Sequence, residues 1–423
     1  MSRHTPDKSR ARTIRSARGD LTARFAGFAL LPILSAVSPL VVLPALSRSV
    51  EPAGWASALT GETVGTFAAI VIAWGWTNMG PARVAVAADR TTQGRLYRES
   101  LAVRGLLALV VLPLLAVLVA LIAADGYRAL AVLMAVQGSV ISLSFTWFAV
   151  GRGDPRSIVM LDALPRMAVA VGAALTIATT GAVLIYPLAG LAVTVAGTAV
   201  YSLRILRQCP APWPRLSELR GLFRQTSDVA VNDAAVGVYS AVPVPLVSAT
   251  LTSISAGGYA SADKLIKLGQ FIPITVANAL QAWAAEAGAG TMRARTLVAV
   301  RIHSAIGIVG WLGVAALGPR ATRILFGDDT AADREVLIVL GLAFFLFAVR
   351  TGLTRHVLFP AGRGRDVMRA GVIGSMVGIP AMAAGVFGVG AVGAAVGFAL
   401  SEVTMVAVLV RPSLGALRGM SVR

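Results

Sequence analysis

The sequence of 423 residues is short of charge. Only 14% of it is Asp, Glu, Lys or Arg, far below what a soluble domain of this length carries. Lysine is scarcer still. It occurs at Lys8, Lys264 and Lys267 alone, and every other cation is arginine. A single cysteine, Cys209, excludes a disulfide framework and a thiolate metal site. The three histidines are scattered and suggest no ligand cluster. There is no P-loop, zinc motif or nucleophile elbow, so neither ATP hydrolysis nor other catalysis is expected, and no cofactor. Long loops are missing too. The longest outer loop, near 318–333, has no room for the extracytoplasmic domain that a membrane glycosyltransferase or polymerase needs. The first hydrophobic run lacks a small-residue cleavage site, so a cleavable signal is not expected.

Apolar residues fill the gap. They make up 56% of the chain, with a mean hydropathy of +0.76, and fall in runs of about 20, the length that crosses hydrocarbon. The expected fold is an all-α polytopic membrane protein. Twelve spans are placed at 22–46, 55–78, 101–123, 129–150, 158–180, 184–203, 228–250, 258–286, 298–317, 334–359, 367–388 and 391–410. A net charge of +18 would point to nucleic acid in a soluble protein. Here the basic residues lie between spans, mostly on one side. They predict cytoplasmic termini rather than a nucleic-acid partner. The Ala, Val, Gly and Arg bias suggests a GC-rich bacterial genome, hence a bacterial cytoplasmic membrane. The expected divisions are a basic tail (1–20), a six-helix lobe (21–203), a cytoplasmic linker (204–227), a second six-helix lobe (228–410) and a second tail (411–423). The linker carries Pro210, Pro212 and Pro214 and then a surface helix, Leu216 to Phe223.

The two lobes echo each other. Gly54-Trp55-Ala56-Ser57-Ala58 opens the second span, and Gly258-Tyr259-Ala260-Ser261-Ala262 opens the eighth. Gly151-Arg152-Gly153-Asp154 follows span four, and Gly362-Arg363-Gly364-Arg365-Asp366 follows span ten. Two matches at corresponding places predict a parallel six-plus-six repeat about an axis along the membrane normal, with the substrate path between the halves.

Ionisable residues inside spans are costly and by default functional. The stretch from Gly257 to Trp283 holds Asp263, Lys264 and Lys267. Either the lysines face a polar cavity, or they snorkel to headgroups and Asp263 neutralises Lys267 at i, i+4. Arg350 lies too deep in span ten to snorkel and needs a cavity or an acid. Asn232 and Asp233 sit inside span seven, facing the path or bonding to a neighbouring helix. Pro243 and Pro245 break that span, as a hinge or a fixed kink. Arg24 and Arg48 bracket the first span at the two mouths of a central path. Asp162 and Arg166 read as an internal pair, and Glu402 as a structural partner. Set against Asp233 and Glu62, the cations Lys264, Lys267 and Arg350 give the expected cavity a basic bias, suited to an anionic pyrophosphate.

Three stretches carry a family resemblance. They are PALSRSVEPAGWASAL before and into span two, WFAVGRGDPRSIVMLDALPR around the loop after span four, and GGYASADKLIKL at Gly257–Leu268. Together with the twelve-span layout they resemble the polysaccharide-unit flippases of the multidrug/oligosaccharidyl-lipid/polysaccharide exporter superfamily. The resemblance implies a monomeric, non-enzymatic transporter. It would move a polyprenyl-pyrophosphate-linked oligosaccharide across the membrane by alternating access, for surface polysaccharide export. Its partners would be the lipid-linked anionic glycan, membrane lipids, and a polysaccharide polymerase and glycosyltransferases. Spans thirteen and fourteen are lacking, which speaks against the lipid II flippase branch. Two other functions stay open: a drug or cation antiporter of the same superfamily, and a non-transporting membrane partner of a glycan-export complex.

Overall fold

The computed structural model describes residues 38–285 and 291–419. Arg24 and the 1–20 tail lie outside them, and so does the side chain of Asn232. Among the described residues every regular element is helical. A helix over 38–48, α1, leads to α2 (Pro52–Ala73), α3 (Trp76–Ala85), α4 (Arg90–Ile122), α5 (Arg128–Val140), α6 (Thr146–Arg152), α7 (Pro155–Ile158), α8 (Leu164–Thr180) and α9 (Ile185–Gln208). The second half holds α10 (Leu216–Ala241), α11 (Pro243–Thr250), α12 (Ser253–Gly269), α13 (Phe271–Ala285), α14 (Met292–Phe326), α15 (Arg334–Leu353) and α16 (Gly364–Gly419). Two π-helical turns, Val159–Ala163 and Thr354–Leu358, interrupt the fifth and tenth spans.

Eight helices among the described residues are long and apolar enough to cross a membrane, or nine if Leu216–Val231 and Asp233–Thr250, bent against each other by 49°, are one span. The chain is a multi-pass helical membrane protein. Most of the expected first span, 22–46, lies outside the described residues, and breaks and one merged helix account for the rest of the difference from twelve. α12 and α13, at the expected eighth span, part at Gln270, because Pro273 has no N–H to return to the carbonyl of Gly269. Pro243 likewise opens α11 at the end of α10. The last two expected spans run on as α16, which leaves helical geometry at Val389 (φ −133°) and Gly390 (φ 64°) and folds back on itself. Its arms pack through glycine. A Cβ at Gly385 would overlap the backbone of Gly393, and one at Gly397 would overlap that of Met382.

The surface helix expected at Leu216–Phe223 is instead the start of α10. There the Arg215 N–H donates to Glu218 (2.9 Å) and closes the first turn. At the start of α4 the Thr92 N–H donates to Asp89 (2.7 Å), which holds that carboxyl below its usual pKa.

α2 is the strut that joins the halves. It packs on α5 within its own half and on α10, α11 and α12 of the other. At one end of the bundle the two repeated motifs meet, all ten residues buried. The Trp55 indole donates to Ser261 Oγ (2.8 Å) and lies against Phe326, with ring centroids 5.1 Å apart. At the other end Trp74 donates to the Phe223 carbonyl (3.2 Å) and Asn78 to Asp233 (2.8 Å). Trp74 sits at φ 45°. Gly75 beside it (φ 78°) packs on Val229 and turns the chain into α3.

The second echo is also a shared local structure, but in a shifted register. Gly153 (φ 67°) and Gly362 (φ 70°) each end a helix with the same pair of bonds: Gly153 N–H to Val150 and Asp154 N–H to Ala149, then Gly362 N–H to Phe359 and Arg363 N–H to Leu358. The equivalent glycines are therefore Gly153 and Gly362, two places from the match made on sequence.

Candidate functional site

Between the halves, bounded by the contacts at both ends, lies a cavity of about 230 Å³. Glu62, Thr66 and Phe67 of α2 line one wall. Gly237 and Ser240 of α10 line a second, and Asp263, Lys264 and Lys267 of α12 a third. Lys264 and Lys267 are brought together here, as their i, i+3 spacing on one helix requires. Glu62 stands about 15 Å along α2 from Pro52, at 1.5 Å per residue, so it is midway along the span.

The charges are paired one for one. Lys264 Nζ is 2.6 Å from Glu62 Oε1, a bond that crosses from one half to the other. Lys267 Nζ is 2.8 Å from Asp263 and donates to the Ser240 carbonyl (3.2 Å). Both alternatives drawn from the sequence therefore hold in part: the lysines face a cavity, and Asp263 neutralises Lys267. The basic bias expected of this cavity is absent, because each ammonium meets its own carboxylate.

Arg350 does not join them. It points behind α10, where it donates to Glu402 through Nε (2.8 Å) and Nη2 (3.0 Å) and to the Tyr239 hydroxyl (3.0 Å). Tyr239 in turn donates to Glu402 (2.6 Å), whose side chain is fully buried. A carboxylate held by a forked guanidinium and a phenol leaves Arg350 little to offer a substrate. Asp233 accepts from Asn78 at the Trp74 end rather than facing the lysines. Arg48 does lie at the mouth of the bundle, at the Trp55 end. It donates to the carbonyls of Pro44 and of Ile324, which ties the halves together. Asp162 and Arg166 form the expected internal pair at 2.9 Å.

A second cavity, of about 310 Å³, lies wholly among the helices of the first half except for Phe271. Glu62 and Thr66 line it as well, with Gln137, Arg166 and Tyr186. Glu62 therefore sits in the wall between two chambers. Glu62 is expected in the cavity, but its pairing with Lys264 is invisible in sequence, since the two are 202 residues apart. The same is true of His303 and His356. They are not scattered but lie against each other, with ring centroids 5.1 Å apart. Among the described residues no group of three or more His, Cys, Asp or Glu is placed to hold a metal ion.

No protein-family model and no curated protein matches the sequence. Solved structures do match by shape. The lipid II flippase MurJ in an inward closed conformation superposes with a TM-score of 0.72 at 11% identity, over 95% of this chain and 90% of that one. An inward-facing multidrug resistance MATE family transporter of the MOP superfamily gives 0.58 at 14% identity, over 93% and 95%. The eukaryotic MATE transporter AtDTX14 gives 0.57 at 13% identity, over 95% and 98%. At these identities the likeness is one of fold. This chain has the all-helical, two-lobe membrane fold of MurJ and of the MATE transporters.

Proposed function

We propose that the chain flips a polyprenyl-pyrophosphate-linked oligosaccharide across a bacterial cytoplasmic membrane by alternating access, with both termini and the Trp74 end facing the cytoplasm. The observation that carries this is the Lys264–Glu62 bond. It joins the halves inside the cavity and is the contact an entering anion would displace. A pyrophosphate that takes Lys264 and Lys267 sets Glu62 free and removes a tie between α2 and α12. The motif contacts at the Trp55 end then have less to hold them. At about 230 Å³ the cavity is smaller than the pockets that enclose even drug-sized ligands, from about 300 Å³ upward. The lipid-linked substrate therefore needs one end open, and alternation between the Asn78–Asp233 end and the Trp55–Ser261 end supplies that.

Each charge-assisted contact to the substrate is worth on the order of 1.5–3 kcal/mol, or roughly ten- to a hundred-fold in affinity. Lys264→Ala with Lys267→Ala should abolish complementation of a flippase-null strain at unchanged protein level. Normal glycan export by the double variant would overturn the assignment. A drug or cation antiporter is the second reading, favoured by Glu62 lining both chambers. In that case Glu62→Gln, rather than the lysine pair, would be the variant that stops transport.

A further inference from the structure

Two of the three histidines in the chain, 53 positions apart, meet in the second half, at 0% and 2% exposure. His303 lies on α14. Both of its ring nitrogens face backbone carbonyls, Nδ1 at 2.9 Å from Ala299 and Nε2 at 3.2 Å from Pro273. A carbonyl only accepts, and a neutral imidazole has one N–H. Only the imidazolium satisfies both contacts. His356 lies on the π-helical turn Thr354–Leu358, and neither of its buried nitrogens has a partner. A neutral His356 therefore offers a free lone pair beside a ring whose surroundings ask for a second proton. Turns of this kind are frequent at functional sites.

The charged groups on the elements packed around the pair are few. α15 and its π turn bring Arg350, which Glu402 of α16 neutralises, and Arg355. α14 brings Arg301, exposed two residues before His303, and the described part of α13 brings no ionisable side chain. Among the described residues no carboxylate bonds either ring, so a proton gained here is held by carbonyls and not locked in by an acid.

We propose that His303 and His356 form a proton-binding site, and that its proton is the coupling ion of transport. This second clause rests on the transport function proposed above. One proton converts imidazole to imidazolium, and the new N–H of His303 donates to the Pro273 carbonyl. Pro273 opens α13 just beyond the break at Gln270, and α12 on the other side of that break carries Lys264 and Lys267. Loading the site pins α13 to α14, and unloading it releases the segment that positions both lysines.

The test uses the full-length protein carrying His4→Asn, so that only these two histidines remain, labelled with 15N-histidine in lipid nanodiscs. Imidazole 15N shifts should show one proton taken up by the pair between about pH 5 and 8, the range in which histidine titrates, and His356→Asn should displace the His303 titration by at least half a pH unit. Two rings that keep single neutral tautomers over that range, or a His303 titration unmoved by His356→Asn, would overturn the site. These readouts do not depend on what is transported. In the flippase-null strain, His303→Asn and His356→Asn should each abolish the dependence of glycan export on the transmembrane pH gradient, read with and without nigericin. Retention of that dependence at equal expression would overturn the coupling. Normal export by the lysine double variant, with the histidine titration intact, would instead overturn the substrate assignment alone.

Discussion

At the residue scale, the membrane interior separates ion pairs that can open from those that hold the fold. Lys264–Glu62 faces a cavity, whereas Arg350–Glu402 is enclosed with Tyr239. Glu402→Gln should leave Arg350 buried without its counter-charge and cost about 3–5 kcal/mol, read as a lowered unfolding temperature in detergent. Replacing both partners, Arg350→Met with Glu402→Leu, should recover most of that stability and leave export near normal. Loss of export from a stable double variant would return Arg350 to the substrate site. Which pairs were legible in sequence follows from distance along the chain. Asp162–Arg166 and Asp263–Lys267 are i, i+4 and were foreseen. Lys264–Glu62 and Arg350–Glu402 join different helices, and so does the histidine pair. Helix periodicity constrains neighbours on one helix only, so the partners of Lys264 and Arg350 had to come from packing.

At the scale of the element, glycine and proline set the architecture. The arms of α16 approach through Gly378, Gly385, Gly393 and Gly397, and no neighbour leaves room there for a side chain. Gly397→Leu should drive the arms apart and cost at least about 1–3 kcal/mol, the usual penalty of overpacking, with lower membrane yield. Gly313→Leu on α14, where nothing lies within 4 Å, should be tolerated. Equal yield and thermal stability of the two variants would refute the close packing. The bend at Val389 and Gly390 falls between the expected spans eleven and twelve. The break at Gln270 was missed. Pro273 signals it, but hydropathy runs straight across.

At the scale of the molecule, both ends of the interface between the halves are bridged, so the proposed transport requires that each be released in turn. Thr60 donates to Ser248 (2.8 Å) on the Trp55 side of Glu62. Cysteines at these two positions, once oxidised, should stop export, and a reductant should restore it. Cys209 is buried and does not interfere. Export unaffected by a complete cross-link would exclude opening at that end. The orientation is tested separately. Reporter fusions after residues 180 and 320 should read outside and one after 423 inside, and any reversal would undo the side assigned to Trp55.

The contact between Trp55 of one motif and Ser261 of the other places two copies of a repeated segment face to face. In a homodimer the same patch would be buried on both subunits, but the contact is not reciprocal: Ser57 accepts from the Ala124 N–H, and the Tyr259 hydroxyl has no hydrogen-bond partner among the described residues. Here a single chain provides both patches, joined through the irregular stretch around Pro210, Pro212 and Pro214. Covalent continuity then contributes effective concentration rather than shape. Fragments 1–212 and 213–423, expressed together, should find each other in the membrane and co-purify. Each alone should expose Trp55 or Tyr259 to lipid and be degraded. The protein is in this sense a dimer whose subunits share one gene.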